Sequence, residues 1–318
     1  MIEAILDTDI GSDVDDALAL SLALVSPELD LRGITTVYGH TRLRAQVARA
    51  LTHAVGRADI PVFAGLELPL LRESAVHWMG HEGEGIDLTD PALDPDAGSA
   101  VDFLIDTIRR NPGRITLLAI GPLTNVAAAI ILAPDIIGKT RELIFIGGVA
   151  RLAENSLDVP AVEWNVRCDP EAARVVFKSG IKLTMLGMDV TRRSETHMDA
   201  GHLRALQGSD SPLARIAARL VAIYWKTAPD NLRCMHDVVA VAYSYDRSLV
   251  GTRCLNVEVE TAGEHTTGFT LVTQGDSEGG ISVGVQVDGD RIRSLFLDRV
   301  CAPLKMKVDK AEEGKNEF

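Results

Sequence analysis

The sequence has few cysteines, no long apolar run and no recognisable N-terminal signal sequence. Its four cysteines, Cys168, Cys234, Cys254 and Cys301, are widely spaced and form neither a CxxC pair nor a Cys/His metal motif. Scattered thiols of this kind are typical of reduced residues in a cytoplasmic protein. No apolar run approaches the ~20 residues of a membrane helix, and no basic-then-apolar leader follows Met1. We therefore expect a cytoplasmic protein that has no membrane partner.

Positive charge is also in short supply. The 318 residues include 32 Lys and Arg against 45 Asp and Glu, which gives a formal net charge of −13. Nucleic acids and anionic membranes bind basic surfaces, because such surfaces displace counterions. Neither partner is expected, and a small neutral substrate or a cation fits the charge better. The 46% hydrophobic content is ordinary for a globular protein with a large core.

Short apolar runs alternate with helical patterns along most of the chain. This order predicts an α/β fold with a mostly parallel central sheet that helices cover on both faces. Three later runs, 255–260, 268–273 and 281–287, look like antiparallel strands, and 291–304 looks like a closing helix. We expect one domain over 1–306 and a polar, disordered tail over 307–318. The earlier predicted strands are 4–9, 31–39, 60–65, 114–121, 141–149 and 181–190, and the predicted helices are 15–25, 42–56, 100–113, 123–134 and 169–180.

Five aspartates crowd the segment "DTDIGSDVDD", between a predicted strand and a predicted helix. A purely structural interpretation makes Asp13 a helix cap and places Asp15 and Asp16 at the positive end of the helix. That interpretation leaves out Asp7 and Asp9, whose side chains point to one face at the end of a buried strand. A bound divalent cation would compensate the charges, and oxygen ligands suit Ca²⁺, Mg²⁺ or Mn²⁺.

Three further segments carry polar residues next to apolar runs. His236 and Asp237 precede an apolar helix, where Asp237 alone would be read as its N-cap. Glu163 and Asn165 alternate at the end of a long loop, which suits recognition of hydroxyl groups. The third of these segments, "AIGPLTN" (119–125), follows a predicted strand and alone would be interpreted as a turn. Loops that leave the carboxyl ends of parallel strands commonly form the site in such sheets.

Together and in this order, these segments resemble the inosine–uridine preferring nucleoside hydrolase family. The family's opening motif, D-x-D-x-G-x-D-D-A, is matched with two extra residues inserted in the loop. The likeness runs from residue 4 to roughly 245. The motif residues are Asp7, Asp9, Gly11, Asp15, Asp16 and Ala17, and the other matching pieces are "GITTVYGH" (33–40), "PVFAG" (61–65), "HEGEGI" (81–86), "GPLTN" (121–125), "EWN…DPEAA" (163–173) and "HD" (236–237).

The resemblance implies the nucleoside hydrolase fold and a Ca²⁺-dependent ribonucleoside hydrolase with one Ca²⁺ per subunit. Such an enzyme cleaves the N-glycosidic bond of a purine or pyrimidine nucleoside to free base and ribose. It also implies a homo-oligomer, either a dimer or a tetramer. The implied metal ligands are Asp9, Asp16, Asp237 and the main-chain carbonyl of Ile120. Asp9 would in addition be the general base that activates the attacking water on the metal.

The same resemblance implies roles for the residues around the substrate. Asp7 would support the metal ligands from behind, and His236 would be the general acid for the leaving base. Tyr224 and Trp225 would line the base pocket. The residues implied to hold the ribose hydroxyls are Asp15, Glu163, Asn165 and Asn155.

The sequence departs from the family pattern at several positions. His40 stands where most members carry an Asn that contacts ribose, and Ile10 replaces the usual Pro. Two alternatives stay open at this point. One is a non-catalytic or altered-specificity relative that binds a ribosyl ligand, and the other is a Mg²⁺-dependent phosphohydrolase of the haloacid dehalogenase kind. The sequence does not identify the preferred base.

Overall fold

The alternating pattern folds into a single mixed sheet within the part of the chain that the structure describes. The structure is a computed structural model that describes residues 1–71, 76–152, 160–226, 233–274 and 280–303. Its strands are β1 (Ile2–Thr8), β2 (Leu29–Thr36), β3 (Val62–Ala64), β4 (Ile115–Ala119), β5 (Glu142–Ile146), β6 (Leu183–Leu186), β7 (Val250–Val259), β8 (Thr270–Gln274) and β9 (Ile281–Val287). They lie side by side in the order β3-β2-β1-β4-β5-β6-β9-β7-β8.

The first six strands pair in parallel, as the alternation predicts. β7 is antiparallel to both β8 and β9. The predicted fold class, a mostly parallel sheet with antiparallel strands near the C-terminal end, is confirmed. β9 differs from the simple expectation in one respect, because it also pairs in parallel with β6 and so joins the two parts of the sheet.

Helices connect the strands and follow the predicted order. They are α1 (Asp15–Val25), α2 (Thr41–Ala54), α3 (Ala100–Arg110), α4 (Thr124–Leu132), α5 (Trp164–Cys168), α6 (Pro170–Lys178), α7 (Met188–Thr191), α8 (Ala200–Gln207), α9 (Pro212–Tyr224), α10 (His236–Tyr245) and α11 (Gly289–Val300). The sequence patterns do not include α5, α7, α8 and α9. The predicted strand 181–190 is too long, because β6 ends at Leu186 and α7 begins at Met188. The start of α9 nevertheless carries a signal, because Ser211 caps the helix and Pro212 occupies its first turn.

Two hydrophobic cores cover the two faces of the sheet. Along β1, Ala4 and Leu6 point into a core with α1, α2, α9, α10 and α11, whereas Ile5 points into a core with α3, α4 and α6. This alternation explains why a strand buried on both faces reads as a continuous apolar run. The expected helical cover on both faces is confirmed. Within the described residues, no helix is long and apolar enough to cross a membrane.

The parallel strands bring several loops to one edge of the sheet. The carboxyl ends of β1, β2, β4 and β5 lie next to one another, so the loops that begin at residues 9, 37, 120 and 147 meet there. The polar segments singled out in the sequence lie in or beside these loops. The predicted tail, 307–318, lies outside the described residues, and the domain boundary at 306 stays a prediction.

Candidate functional site

The acidic loop after β1 places two aspartates in the first turn of α1. These are Asp15 and Asp16, and the positive end of the helix dipole favours carboxylates there. Val14 occupies the N-cap position and no side chain caps the helix. The interpretation of Asp13 as the cap is therefore wrong. Asp13 is exposed to solvent, and its carboxylate accepts a hydrogen bond from the hydroxyl of Tyr224.

α10 packs against α1 and brings a third carboxylate to the same place. Asp237 lies in the first turn of α10 and Met235 is at the N-cap position, so Asp237 is not the helix cap either. A carboxylate oxygen from each of Asp15, Asp16 and Asp237 lies within 4.8 Å of the other two, and all three residues are buried. The packing of two helices distant in sequence thus forms a compact group of oxygen atoms.

Three like charges at this distance are unfavourable without a cation. Burial raises the pKa of Asp15, Asp16 and Asp237 well above the usual range, and repulsion between neighbouring carboxylates raises it further. Among the described residues, no Lys, Arg or His forms an ion pair with any of the three. Oxygen ligands alone suit a hard divalent cation such as Ca²⁺ or Mg²⁺. The residues present therefore fit a metal of this class.

Asp9 lies beside this triad, directly after β1. A Cβ built on Gly121 would lie 2.8 Å from Oδ1 of Asp9, so the absence of a side chain at Gly121 lets the carboxylate approach the loop after β4. The charge of Asp9 raises the pKa of Asp16 and of Asp237, and burial raises the pKa of Asp9 itself to about 6. Asp9 thus belongs to the same electrostatic cluster, although the closest group of three carboxylates includes Asp15 instead.

Asp7 is buried near the end of β1, two residues before Asp9. Its Oδ1 accepts hydrogen bonds from Thr35 Oγ1 (2.6 Å) and from Asn125 Nδ2 (2.8 Å). Its Oδ2 has no hydrogen-bond partner among the described residues. Burial raises the pKa of Asp7 to about 7. Asn125 also donates to the carbonyl of Thr36, so Asp7 ties the ends of β1, β2 and α4 together.

Glu163 and Asn165 hold the loops after β4 and β5. Glu163 caps α5, and its carboxylate accepts from the backbone N–H groups of Asn165 (2.8 Å), Gly148 (3.0 Å) and Val166 (3.1 Å). Burial outweighs these bonds and raises the pKa of Glu163 to about 7. Asn165 Nδ2 donates to the carbonyl of Ile120 at 2.9 Å. Since a carbonyl oxygen has two lone pairs, Ile120 can still accept a second contact.

His236 lies at the start of α10, next to the triad. Its Nδ1 is 2.8 Å from Oγ1 of Thr191. If the Thr191 hydroxyl donates to Nδ1, the other ring nitrogen carries the hydrogen. Burial and the nearby charges of Arg192 and His197 lower the pKa of His236 to about 4. The ring is therefore neutral at pH 7 in the metal-free protein and offers an N–H donor rather than a positive charge.

The other predicted substrate contacts are His40, Tyr224, Trp225 and Asn155. His40 is exposed, and its Nδ1 accepts from the N–H of Leu43 at 3.1 Å, so it caps α2. Tyr224 ends α9, and the ring of the next residue, Trp225, lies 4.2 Å from the guanidinium carbon of Arg233. Asn155 lies outside the described residues.

A small, partly open pocket lies beside the acidic loop. The inserted loop, the segment 81–86 and the end of α9 line it, with Asp13, His81 and Tyr224 among its polar residues. His81 Nε2 donates to the carbonyl of Ser12 at 2.7 Å. Among the described residues, Tyr224 lines the pocket and Trp225 does not. Asp13 and His81 thus line a pocket next to the acidic cluster, a position that the sequence analysis assigned to neither.

Arg44 and Thr8 were also missed. Thr8 lies between two of the predicted site aspartates, and its hydroxyl donates to Asp16. Arg44 is a fully buried arginine of α2 that contacts the loops after β1 and β2. A signal for Arg44 exists in the sequence, because it shares a helix face with Val47, Ala48 and Leu51 at spacings of three, four and seven. An arginine on an apolar helix face is buried only where its donors find partners.

The sequence of this chain is similar to a known protein family and to individual proteins over nearly its whole length. A family model described as "Inosine-uridine preferring nucleoside hydrolase" matches residues 4–294. The pyrimidine-specific ribonucleoside hydrolase RihA of Salmonella arizonae is 35% identical over 311 residues, which cover 93% of this chain and 97% of RihA. An uncharacterised protein of Schizosaccharomyces pombe is 35% identical over 307 residues, covering 93% of this chain and 98% of that protein.

Solved structures of similar proteins share the fold. A plant nucleoside hydrolase, PpNRh1, has a TM-score of 0.83 and 30% identity, and the match covers 95% of this chain and 99% of that one. A purine-preferring ribonucleoside hydrolase from Gardnerella vaginalis has a TM-score of 0.82 and 30% identity, with 94% and 98% covered.

Proposed function

Because this chain belongs to the inosine-uridine preferring nucleoside hydrolase family, we propose that it is a calcium-dependent ribonucleoside hydrolase that releases ribose and a free base. The chain is a hydrolase acting on N-glycosyl compounds, as its relatives are. The finer proposal is carried by one observation. Asp15, Asp16 and Asp237 form a buried group of carboxylates, with Asp9 beside them, at the carboxyl edge of the sheet.

The proposed ligands of the ion are the carboxylates of Asp9, Asp16 and Asp237 and the carbonyl oxygen of Ile120. The structure supports adding Asp15 to this set, because its carboxylate belongs to the closest group of three. When bound, Ca²⁺ supplies a Lewis acid that polarises an attacking water and offsets the buried negative charge. One ion per chain is expected from a single such group.

Asp9 is the proposed general base. Its carboxylate takes a proton from the attacking water as the oxygen bonds to C1′ of ribose and the bond from C1′ to the base breaks. A single displacement of this kind inverts the configuration at C1′. Removing a general base of this type costs typically 10²–10⁴-fold in rate.

The other polar residues of the site are proposed to bind and polarise the sugar. Asp15, Glu163 and Asn165 present oxygen acceptors to the ribose hydroxyls, and Asn155 is a further proposed contact. Both oxygens of Glu163 already accept backbone N–H groups, which fixes the direction of the carboxylate. Carboxylates held around the ring stabilise the positive charge that develops on an oxocarbenium-like transition state.

The leaving base is proposed to lie between the start of α10 and the end of α9. His236 would donate a hydrogen bond to the departing nitrogen from its neutral ring, and Tyr224, Trp225 and His40 would contact the nucleoside. The preferred base is not assigned by this geometry. One relative is named as pyrimidine-specific and another as purine-preferring.

The experiment that tests the proposal is a substrate panel. Purified protein with added Ca²⁺ is incubated with inosine, uridine, cytidine and adenosine, and free ribose is measured as reducing sugar. We expect release of ribose and base in equal amounts from at least one nucleoside, and Asp9→Asn should lower kcat by roughly 10²–10⁴-fold. Release of no ribose from any nucleoside would contradict the proposal and favour a non-catalytic ribosyl-binding relative. Hydrolysis of p-nitrophenyl phosphate in its place would favour a phosphohydrolase.

Two expectations from the sequence concern the protein as a whole. A homo-oligomer, dimer or tetramer, and a cytoplasmic location stay predictions, because a single chain contains no information on either. Light scattering on the purified protein would measure the first.

A further inference from the structure

Arg44 makes more contacts at the site edge than any role in the proposed reaction explains. Its side chain is fully buried, although it lies near the start of α2. Nε donates to the carbonyl of Tyr38 at 2.7 Å. Nη1 donates to the carbonyls of Asp9 and of Ile10, the latter at 2.9 Å, and Nη2 donates to Oγ of Ser12 at 3.1 Å. One guanidinium therefore connects the loop after β1 with the loop after β2.

The backbone that Arg44 holds is not in a relaxed conformation. Tyr38 has a φ of +64°, in the left-handed region that is unfavourable for residues other than glycine. Such a conformation persists only where its surroundings fix it. The carbonyl of Tyr38 faces Nε of Arg44, and its hydroxyl accepts from the N–H of His77 at 3.2 Å.

The inserted loop depends on the same side chain. Ser12 belongs to the loop that is two residues longer than the family motif, and its hydroxyl contacts both Arg44 and a carboxylate oxygen of Glu82, the latter at 3.2 Å. Glu82 in turn accepts from the backbone N–H of Met79 at 2.6 Å. The ring of Trp78 lies over the guanidinium at 5.2 Å from its carbon. The contacts thus extend from the end of β1 to the segment that follows β3.

We propose that Arg44 is a positioning residue, whose guanidinium fixes the carbonyls of Asp9, Ile10 and Tyr38 and so aims the carboxylate of Asp9 at the substrate. The planar fork is essential to this role, because it offers five N–H donors in fixed directions, whereas the ammonium group of lysine is a compact charge with three donors. The inference deepens the proposed function, since it concerns the orientation of the proposed base. A displacement of about 1 Å at a reacting group can lower the rate by roughly 10²-fold.

The test compares three variants. Arg44→Lys keeps the charge and removes the fork, and Arg44→Met removes both. Arg49→Met is the matched control, because Arg49 is also buried on α2 but contacts Asp96 and the carbonyl of Ile60, away from the site. The first measurement is hydrogen–deuterium exchange of the full chain, which does not depend on any activity. We expect faster exchange in residues 9–14 and 37–43 of Arg44→Lys, and no change there in Arg49→Met.

The second measurement is steady-state kinetics at saturating Ca²⁺ on a nucleoside that the wild type hydrolyses. We expect Arg44→Lys and Arg44→Met to lower kcat by roughly 10²-fold while KM changes by only a few-fold. Arg49→Met should retain the wild-type kcat even where it lowers the melting temperature. If the wild type releases no ribose, the proposed function fails, and the exchange measurement alone decides the role of Arg44.

Two results would overturn the proposal. In one, Arg44→Lys folds with wild-type exchange in both segments, which would mean that the fork does not hold them. In the other, Arg49→Met shows the same faster exchange at residues 9–14, which would mean that any loss of a buried arginine from α2 loosens this edge. If Arg44→Met does not fold, the exchange and the kinetics are both measured on Arg44→Lys alone.

Discussion

Asp7→Asn should change the stability of the metal-free protein by an amount that depends strongly on pH. Asparagine is nearly the same size as aspartate, and its amide oxygen can keep the hydrogen bonds from Thr35 and Asn125. The amide nitrogen then takes the place of Oδ2, which has no partner among the described residues. A buried donor without an acceptor costs ~1–3 kcal/mol of unfolding free energy.

The wild type carries an opposing cost that grows with pH. Burial raises the pKa of Asp7 from 3.8 to about 7, so the folded state keeps its proton over a range where the unfolded state has lost it. Stability through this group therefore falls as pH rises from 3.8 to about 7. One pKa unit is worth ~1.4 kcal/mol, so the two units from pH 5 to pH 7 remove ~3 kcal/mol from the wild type. Asparagine does not titrate and escapes this loss.

The two effects predict that the stability of Asp7→Asn relative to the wild type depends on pH. With a chelator present, the difference in unfolding free energy between the two proteins should shift by ~3 kcal/mol in favour of Asp7→Asn from pH 5 to pH 8. Urea unfolding at both pH values measures the difference. Asp102→Asn makes the same chemical change on the exposed face of α3 and should differ from the wild type equally at both pH values. The same difference for Asp7→Asn at pH 5 and pH 8 would refute a protonated Asp7.

Three further predictions concern the same edge of the sheet. Asp16→Asn removes a carboxylate of the triad and should weaken Ca²⁺ binding, measured by calorimetry, by more than the roughly 10–100-fold typical of residues behind the ligands; unchanged affinity would contradict the proposed ligand set. Glu163→Gln leaves the N–H of Asn165 without an acceptor and should lower the unfolding free energy, measured by urea unfolding, by ~1–3 kcal/mol. The metal-free wild type should lose stability as pH rises from 5 to 8, because the raised pKa values of Asp7 and Glu163 mean that folding binds protons in this range. Added Ca²⁺ should reverse the loss. A calorimetric melting temperature that does not change with pH in the absence of Ca²⁺ would contradict this prediction.

The sheet could be predicted because its strands are buried on both faces. Ala4 and Leu6 enter one core and Ile5 the other, so the run "AILD" is apolar throughout and reads as a parallel strand. The direction and partners of β9 could not be predicted in the same way. Its alternating pattern shows that it is a strand, but pairing with β6 depends on contacts between residues far apart in the chain.

The candidate site could likewise be predicted from the sequence only in part. The resemblance to the family implies Asp9, Asp16 and Asp237 as metal ligands, and in the structure the three belong to one electrostatic cluster. The sequence could not show that Asp15 lies in the closest group of carboxylates, because that depends on how α1 packs against α10.

The inserted loop could not be explained from the sequence for a related reason. Asp13 looked like a helix cap because it precedes a helix, and its actual partner, Tyr224, lies at the end of α9. The crowding of five aspartates is plain in the sequence. For Arg44 the sequence indicates only a place on the apolar face of α2, whereas its contacts with the loops after β1 and β2 depend on how α2 packs.

The most direct test of the account is a titration of chelator-treated protein with Ca²⁺, followed by the rate of ribose release from a nucleoside that the panel identifies as a substrate. The account predicts no release in the chelated protein and full recovery of the rate when one Ca²⁺ per chain is bound. Turnover that continues at the wild-type rate under complete chelation, or that Ca²⁺ does not restore, would contradict it.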